Sequence, residues 1–330
     1  MRTTLLFPLA AAGALLTTAC TPAGDADAFR SVLPDDRVLV NLDTEAAANA
    51  RTGEWSEAYL LTAQVTDDVN GTAWWVLNLV DTVTATPPTW AAEAPPEDEG
   101  TVDQVAQWGP YDGDALEPTA TQLVVAHNTD DSYFWALQQR PKADDAAEFT
   151  TVIAGQIEAG ATDEASRGAF AIDFGAAHTL NPNTDPTQGT FYLGYDLGAS
   201  GVKAEAAFEG FLGDNGEDAN ALYTYDQVYA GGGAMDLALE SNMDLTTDAK
   251  EVLIVRSRWL DTGAGRGDAY AIGGDLGEFV GTSSDCWGTD FKTSYYTDNY
   301  TDSGLTEGDV ATCAFAAAEF DDEALDQAQN

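Results

Sequence analysis

The chain has few basic residues and few of the side chains that most metal sites need. Lys and Arg together number 13 against 56 Asp and Glu, which gives a formal net charge of −43. Such an acidic surface repels nucleic-acid phosphates and anionic lipid headgroups, so nucleic-acid binding is excluded. The 2 histidines, His127 and His178, are too few for a histidine-based zinc site without other ligands.

Common catalytic motifs are absent as well. The sequence contains no G-x-S-x-G, no H-E-x-x-H, no P-loop and no G-x-G-x-x-G that opens a helix. Carboxylates are so abundant that almost any pair of strands could place two of them at the separation that glycosidases use. We therefore expect a protein that is not an enzyme, and a carboxylate-dependent hydrolase is the second alternative to that interpretation.

Two groups of charged residues are candidate binding sites. Arg256 and Arg258 alternate along an apolar run and so share one strand face. They are expected to meet carboxylates across the sheet, and the alternative is an anion-binding site on a curved sheet. A Ca²⁺ site could form in the most oxygen-rich turn, which contains Asp214, Asn215, Glu217 and Asp218. That turn lacks the spacing of an EF-hand, so an acidic hairpin tip is favoured and no cofactor is expected.

Most of the chain alternates between apolar and polar residues, as half-buried strands do. The clearest stretch runs from Ser132 to Phe211, and turn-forming clusters divide it. Its apolar positions predict the dry face of a sheet, namely Tyr133, Trp135, Leu137, Phe149, Ile153, Ile157, Phe170, Ile172, Phe174, Phe191, Leu193, Tyr195, Val202, Ala204, Ala206 and Phe208. Similar runs before and after it bring the total to about eleven strands. Helices do not alternate with these strands, so the sequence predicts no βαβ unit and no parallel sheet.

The stretch from Trp55 to Thr84 carries two conflicting signals. Asn70-Gly71 between apolar runs is typical of a hairpin. Apolar residues that recur every three or four positions instead predict one face of a helix, which Pro87 and Pro88 would end. We favour the helix, packed on the dry face of the sheet. Trp74 and Trp75 are expected to fill the core.

These patterns predict a mainly β protein. Its long antiparallel meander of about eleven strands should curl into a barrel or half-barrel, with an N-terminal helix packed on or inside it. Residues 37–330 form a single β-rich domain in this interpretation. It comprises a helix at 55–85, an acidic Pro-rich loop at 86–109, the meander at 105–275, and a disulfide-pinned C-terminal segment with an acidic tail at 281–330.

The first residues resemble the leader of bacterial lipoproteins. Arg2 precedes an apolar run, Leu5 to Leu16, that is too short to span a bilayer stably. Thr17, Thr18 and Ala19 then precede Cys20, as in a lipobox, although the family usually has Leu where Thr17 stands. The resemblance implies a signal peptide at 1–19, lipid attachment at Cys20, a tether at 20–36 and the outer membrane of a bacterial envelope. The alternative is an ordinary secretory leader.

Lipidation of Cys20 would leave Cys286 and Cys313, an even pair in an oxidising compartment. We expect them to form a disulfide that pins the C-terminal segment to the body of the protein. The alternative is two free, buried thiols.

Further stretches resemble a group of acidic lipoproteins of myxobacterial type. The stretches that carry this resemblance are Trp74 to Pro88, Arg140 to Asp145, Ser257 to Trp259 with Thr262 to Arg266, and Asp285-Cys286-Trp287 with Cys313-Ala314-Phe315. The resemblance covers most of the mature chain and implies no activity or ligand. The expected architecture alone is similar to the lipoprotein carriers of the periplasm, which hold acyl chains in an unclosed barrel.

Taken together, the sequence predicts a non-enzymatic lipoprotein of the outer membrane, either periplasmic or surface-exposed. Its role would be binding or structural, and its partners the membrane, through the lipid anchor, and an envelope protein. The first alternative is a carrier whose half-barrel encloses an apolar, acyl ligand. It requires a concave apolar cavity of several hundred Å³.

Overall fold

Antiparallel strands are the main secondary structure of the protein. The computed structural model describes residues 26–42, 55–93, 102–113, 117–162, 165–183, 188–212, 218–228, 231–242, 247–300 and 304–320. Within these ranges, each strand pairs with the strands before and after it in sequence, so that 15 strands form one continuous meander. The predicted mainly β, antiparallel architecture is confirmed.

The strands vary from three to twelve residues. They are β1 (Trp90–Glu93), β2 (Val102–Tyr111), β3 (Thr119–Asn128), β4 (Tyr133–Pro141), β5 (Thr150–Ile157), β6 (Ser166–Asp173), β7 (Thr190–Gly198), β8 (Gly201–Leu212), β9 (Asp218–Val228), β10 (Gly233–Ser241), β11 (Glu251–Trp259), β12 (Gly265–Gly273), β13 (Gly281–Trp287), β14 (Thr293–Asp298) and β15 (Thr306–Gly308). The helices are α1 (Ala26–Ser31), α2 (Glu57–Thr84) and α3 (Phe174–Leu180), with short 3-10 helices at Asp36–Val38, Gly274–Leu276 and Val310–Thr312.

The strand count and the expected closure need correction. The eleven strands expected from the sequence correspond to β2 to β12, and β1, β13, β14 and β15 are additional. β1 falls in the stretch expected to be a Pro-rich loop. β13 to β15 are rich in Ser, Thr and Tyr and lack a clear apolar alternation. Because β1 and β15 each have one neighbour, the sheet does not close into a barrel.

The predicted dry face of the meander forms the core. Trp135, Phe170 and Phe191 are fully buried, and the alternating residues beside them on β4 to β9 are mostly buried too. Phe149 is an exception because it lies before β5, where the guanidinium of Arg140 covers its ring at 4.9 Å. Phe174 begins α3 instead of continuing β6.

The helix α2 replaces the hairpin that Asn70-Gly71 could have formed. Its side chains at three- and four-residue spacing are buried, from Tyr59 through Val69 and Val76 to Val83. The Ser56 hydroxyl caps its first turn by accepting from the Tyr59 backbone N–H at 3.1 Å. Burial of this apolar face outweighs the local turn preference.

The two ends of α2 reach opposite ends of the sheet. Near its N-terminus, α2 packs against β11, β12 and β13, and elsewhere it packs against β2 and β3. The Thr62 hydroxyl lies 2.6 Å from that of Ser257 on β11. Just beyond the other end, the carbonyl of Thr86 accepts from the Trp108 indole on β2 at 2.9 Å.

The described part of the expected tether, 26–36, belongs to the folded body. Phe29 and Leu33 are buried in the core, as are Val38 and Val40 immediately after it. Asn70 of α2 bonds both backbone groups of Val40, accepting from its N–H at 2.9 Å and donating to its carbonyl at 2.7 Å. The segment 26–42 thus lies between α2 and the middle of the sheet, where its 3-10 helix contacts β7 and β8.

Candidate functional site

The predicted arginine pair lies on the sheet face opposite α2. Ser257 contacts α2, so its neighbours Arg256 and Arg258 point away from the helix. Register places Arg256 between Asp236 and Asp268, and Arg258 between Ala234 and Arg266. The arginines therefore share a face.

Arg256 is held by groups of the protein itself. Its Nε lies 3.7 Å from the Asp236 carboxylate, and its guanidinium lies 5.3 Å from the centre of the Phe320 ring. It also donates to the carbonyl of Glu319. Arg258 has no such acidic partner among the described residues. These contacts give Arg256 a structural role and do not form a site that surrounds an anion.

A C-terminal segment, residues 313–320, covers this face of the sheet. The predicted disulfide is present and joins Cys286 on β13 to Cys313. The Ala318 backbone N–H donates to Asp268 at 2.9 Å, and Phe320 stacks on Tyr270 with 5.4 Å between ring centres. Sequence reasoning missed Asp268 and its partner Arg266, although their spacing of two along a strand was a signal for a shared face.

Asp285 has a perturbed environment at the N-terminus of α2. Its carboxylate accepts from the Ser56 hydroxyl at 2.7 Å and from the Ala58 backbone N–H at 3.2 Å. Burial raises the pKa of Asp285 above its ordinary value, while those hydrogen bonds act in the opposite direction. The carboxylate thus satisfies helix N–H groups that would otherwise be unpaired.

A shallow groove of about 240 Å³, called here the tyrosine groove, lies across β11 to β13. Its lining includes Leu253, Ala269, Ala271, Gly281, Ser283 and Tyr300. The Tyr300 hydroxyl lies 2.7 Å from that of Tyr296. Burial is the larger cause that raises the pKa of Tyr296, and the hydrogen bond to Tyr300 raises it further, so the Tyr296 phenol is neutral at physiological pH. The groove offers a small apolar floor with a hydroxyl pair at one side.

A second cavity, beside the segment 26–42, has a volume of about 40 Å³. It is bounded by Pro34, Asp35 and Arg37 on one side and by Ser166 and Leu197 on the other. That volume suits about one water molecule.

Trp74 and Trp75 are exposed, which corrects the expectation that they fill the core. Their side chains are 56% and 45% exposed on α2. The buried face of the helix follows Val69, Ala73 and Val76, so helical geometry turns the tryptophans toward the opposite side. The outward surface around them is called here the tryptophan face.

Two predicted sites fall outside the described residues. Cys20 lies before residue 26, and the turn of Asp214, Asn215 and Glu217 lies between β8 and β9, with Asp218 as the first residue of β9. Within the described ranges, no group of three or more His, Cys, Asp and Glu side chains could hold a metal ion. No described helix is long and apolar enough to cross a membrane.

No protein-family model matches the chain, and neither a curated protein nor a solved structure is significantly similar to it.

Proposed function

We propose that the protein is a non-enzymatic lipoprotein of the bacterial outer membrane with a binding or structural role. Cys20 is its acylated residue and the leader 1–19 is removed. The sheet forms a half-barrel, open between β1 and β15, around α2 and the segment 26–42. The lipoprotein-like leader supports the anchor, and the extracytoplasmic location accords with the Cys286–Cys313 disulfide.

The observation that supports a surface role is that side chains of the protein itself fill the interior. Tyr59 and Val76 of α2 are fully buried, and Phe29 and Val40 of the N-terminal segment are 3% exposed. These side chains occupy the concave face of the sheet, where an enclosed ligand would have to bind. The binding surface is then the outside of the molecule, where the tryptophan face lies.

The carrier alternative receives less support. A pocket that encloses an acyl chain needs several hundred Å³ and buries most of the ligand. The tyrosine groove, at about 240 Å³, is shallow and lies at the surface. The cavity beside Pro34 is smaller still, at about 40 Å³.

The hydrolase alternative needs two acids whose environments separate their pKa values. Asp285 has a raised pKa. Its carboxylate, however, is engaged by Ser56 and Ala58 at the start of α2. This arrangement supports a role in holding the helix.

The anchor is tested by expressing the full-length chain and its Cys20→Ser variant in a Gram-negative host. Mass spectrometry of the mature N-terminus and fractionation of the envelope are the measurements. We expect an acylated N-terminal cysteine in the outer-membrane fraction for the wild type, and no acylation for Cys20→Ser. A wild-type chain cleaved at another bond and recovered as a soluble protein would overturn the anchor.

Native mass spectrometry of the wild-type protein, extracted from its membrane, tests the surface role. A bound protein partner supports the proposal. A stoichiometric apolar ligand that survives extraction would overturn it in favour of the carrier.

A further inference from the structure

The side of α2 that faces away from the sheet combines polar residues with two large aromatic ones. Asp67, Asp68 and Gly71 are exposed there, one to two turns before Trp74 and Trp75. The tryptophans are 56% and 45% exposed, and they are adjacent in sequence. Tryptophan has a large apolar body with a polar N–H, and it is enriched where one end of a side chain meets hydrocarbon and the other meets water.

The described chain begins close to this helix. The Arg30 guanidinium donates to the carbonyls of Thr84 and Thr86, so α1 lies against the C-terminal end of α2. Trp74 precedes Thr84 by ten residues, which places it about 15 Å along the helix from that end. Cys20 precedes Ala26 by six residues, and six residues reach about 20 Å at most.

We propose that Trp74 and Trp75 insert into the interface of the bilayer that holds the lipid anchor, so that α2 lies against the membrane surface. This inference rests on the proposed acylation of Cys20. The short reach from Cys20 to α1 keeps the tryptophan face close to the lipid. Tethering raises the effective concentration of a weak contact to about the millimolar range, so two aromatic side chains suffice for the second contact.

The chemistry of the surface selects zwitterionic lipid as the occupant. The chain carries a net charge of −43, and Asp67 and Asp68 are exposed on the same side of α2, about two turns before the tryptophans. Anionic headgroups would be repelled. Insertion of an indole into the interface of a phosphatidylcholine bilayer requires no attraction between charges.

Quenching by brominated lipid tests the insertion directly. The full-length, acylated protein is reconstituted into phosphatidylcholine vesicles with and without bromine on the acyl chains, and tryptophan fluorescence is recorded. Of the other described tryptophans, Trp55 is partly buried, and Trp108, Trp135, Trp259 and Trp287 are at most 4% exposed. The protein body shields the four buried ones from the lipid, and Trp55 is present in both proteins, so quenching that is lost on replacing Trp74 and Trp75 reports those two residues.

We expect brominated lipid to quench the wild type and to have little effect on W74S/W75S, with both proteins floating with the vesicles. Both replaced side chains are exposed, so the variant should retain the wild-type circular dichroism spectrum. The matched control is Leu222→Ser, which alters a side chain that is 42% exposed on β9 and should leave quenching unchanged. Replacing about a third of the lipid by phosphatidylglycerol should reduce quenching of the wild type.

Equal quenching of the wild type and W74S/W75S in floating vesicles would overturn the insertion. A wild-type protein that fails to float would instead show that the anchor is absent. Tryptophans that remain unquenched in vesicles but become shielded from iodide in native membranes would assign the tryptophan face to a protein partner and would also overturn the inference.

Discussion

Arg266 and Asp268 lie two residues apart on β12 and form an ion pair in which both side chains are almost completely buried. The Nη2 to Oδ1 distance is 2.8 Å, and the side chains are 6% and 3% exposed. Asp268 also accepts from the Ser284 hydroxyl and from the Ala318 backbone N–H. The pair therefore joins three parts of the protein: β12, β13 and the C-terminal segment.

Replacing Asp268 by Asn should destabilise the protein strongly, because it leaves the Arg266 charge buried without an opposite charge. Removing one partner of a buried ion pair costs about 3–5 kcal/mol. We expect a decrease of that size in the free energy of unfolding, measured by urea denaturation. The variant should also expose the C-terminal segment to protease.

An exposed pair provides the matched control. Lys203 and Asp226 lie 3.0 Å apart with side chains that are 70% and 61% exposed. Because solvent screens such a pair, Asp226→Asn should change the free energy of unfolding by less than about 1 kcal/mol. If the two substitutions lowered the free energy of unfolding equally, the buried Arg266–Asp268 pair would matter no more for stability than an exposed pair, which would contradict the prediction.

The Cys286–Cys313 disulfide should stabilise both the fold and the position of the C-terminal segment. The two cysteines are 27 residues apart in sequence. In the chain-entropy model, closing a loop of this length contributes about 3.5 kcal/mol to the free energy of unfolding. We expect the Cys286→Ser/Cys313→Ser variant to lose stability of that order, and limited proteolysis followed by mass spectrometry should detect cleavage near Ala318. Reducing agent should reproduce the effect in the wild type and leave the variant unchanged. Insensitivity of the wild type to full reduction would contradict this prediction.

The raised pKa of Asp285 predicts a pH dependence of defined sign. The native protein retains the Asp285 proton to higher pH than the unfolded chain does. The contribution of this group to the free energy of unfolding therefore falls as pH rises from the ordinary carboxyl range through the raised pKa. Asp285→Asn removes the titration, so the stability of this variant relative to the wild type should increase between about pH 4 and about pH 7.

Urea denaturation of both proteins at the two pH values checks this prediction, since the contributions of the other carboxylates cancel in the difference. The opposite slope would mean that the hydrogen bonds from Ser56 and Ala58 outweigh desolvation. In that case the helix N-terminus would stabilise the charged form.

The sequence predicts the central strands well because each of them buries one face. Period-two alternation identifies Phe170 and Phe191 as inward-facing, and the 3.6-residue period identifies α2 despite Asn70-Gly71. The last strands are harder to recognise. β14 is half-buried and built of Thr, Ser and Tyr, so its pairing depends on neighbours that are distant in sequence.

Two further features depend on tertiary contacts that local patterns do not specify. The tether expected at 20–36 includes Phe29 and Leu33, yet both are buried because α2 and the sheet leave space for them. Residue type alone predicts Trp74 and Trp75 in the core, whereas the phase of the buried helix face determines their exposure. That phase was already present in the spacing of Val69, Ala73 and Val76.

The docking of α2 on β12 depends on a close approach between Gly267 and Ala58. A Cβ atom added at Gly267 would lie 2.6 Å from the Ala58 Cβ, well inside normal contact distance. Gly267→Ala should therefore push the N-terminal turn of α2 away from the sheet and reduce the free energy of unfolding by about 1–3 kcal/mol.

Ala58→Gly provides the compensating change, because it removes the methyl group that the new side chain meets. On its own it should cost about 0.5–1 kcal/mol, as glycine does in a helix. Combined with Gly267→Ala, it should recover most of the loss, which gives a favourable coupling energy in a double-mutant cycle measured by urea denaturation. Strict additivity of the two substitutions would show that α2 does not rest on β12 at this position.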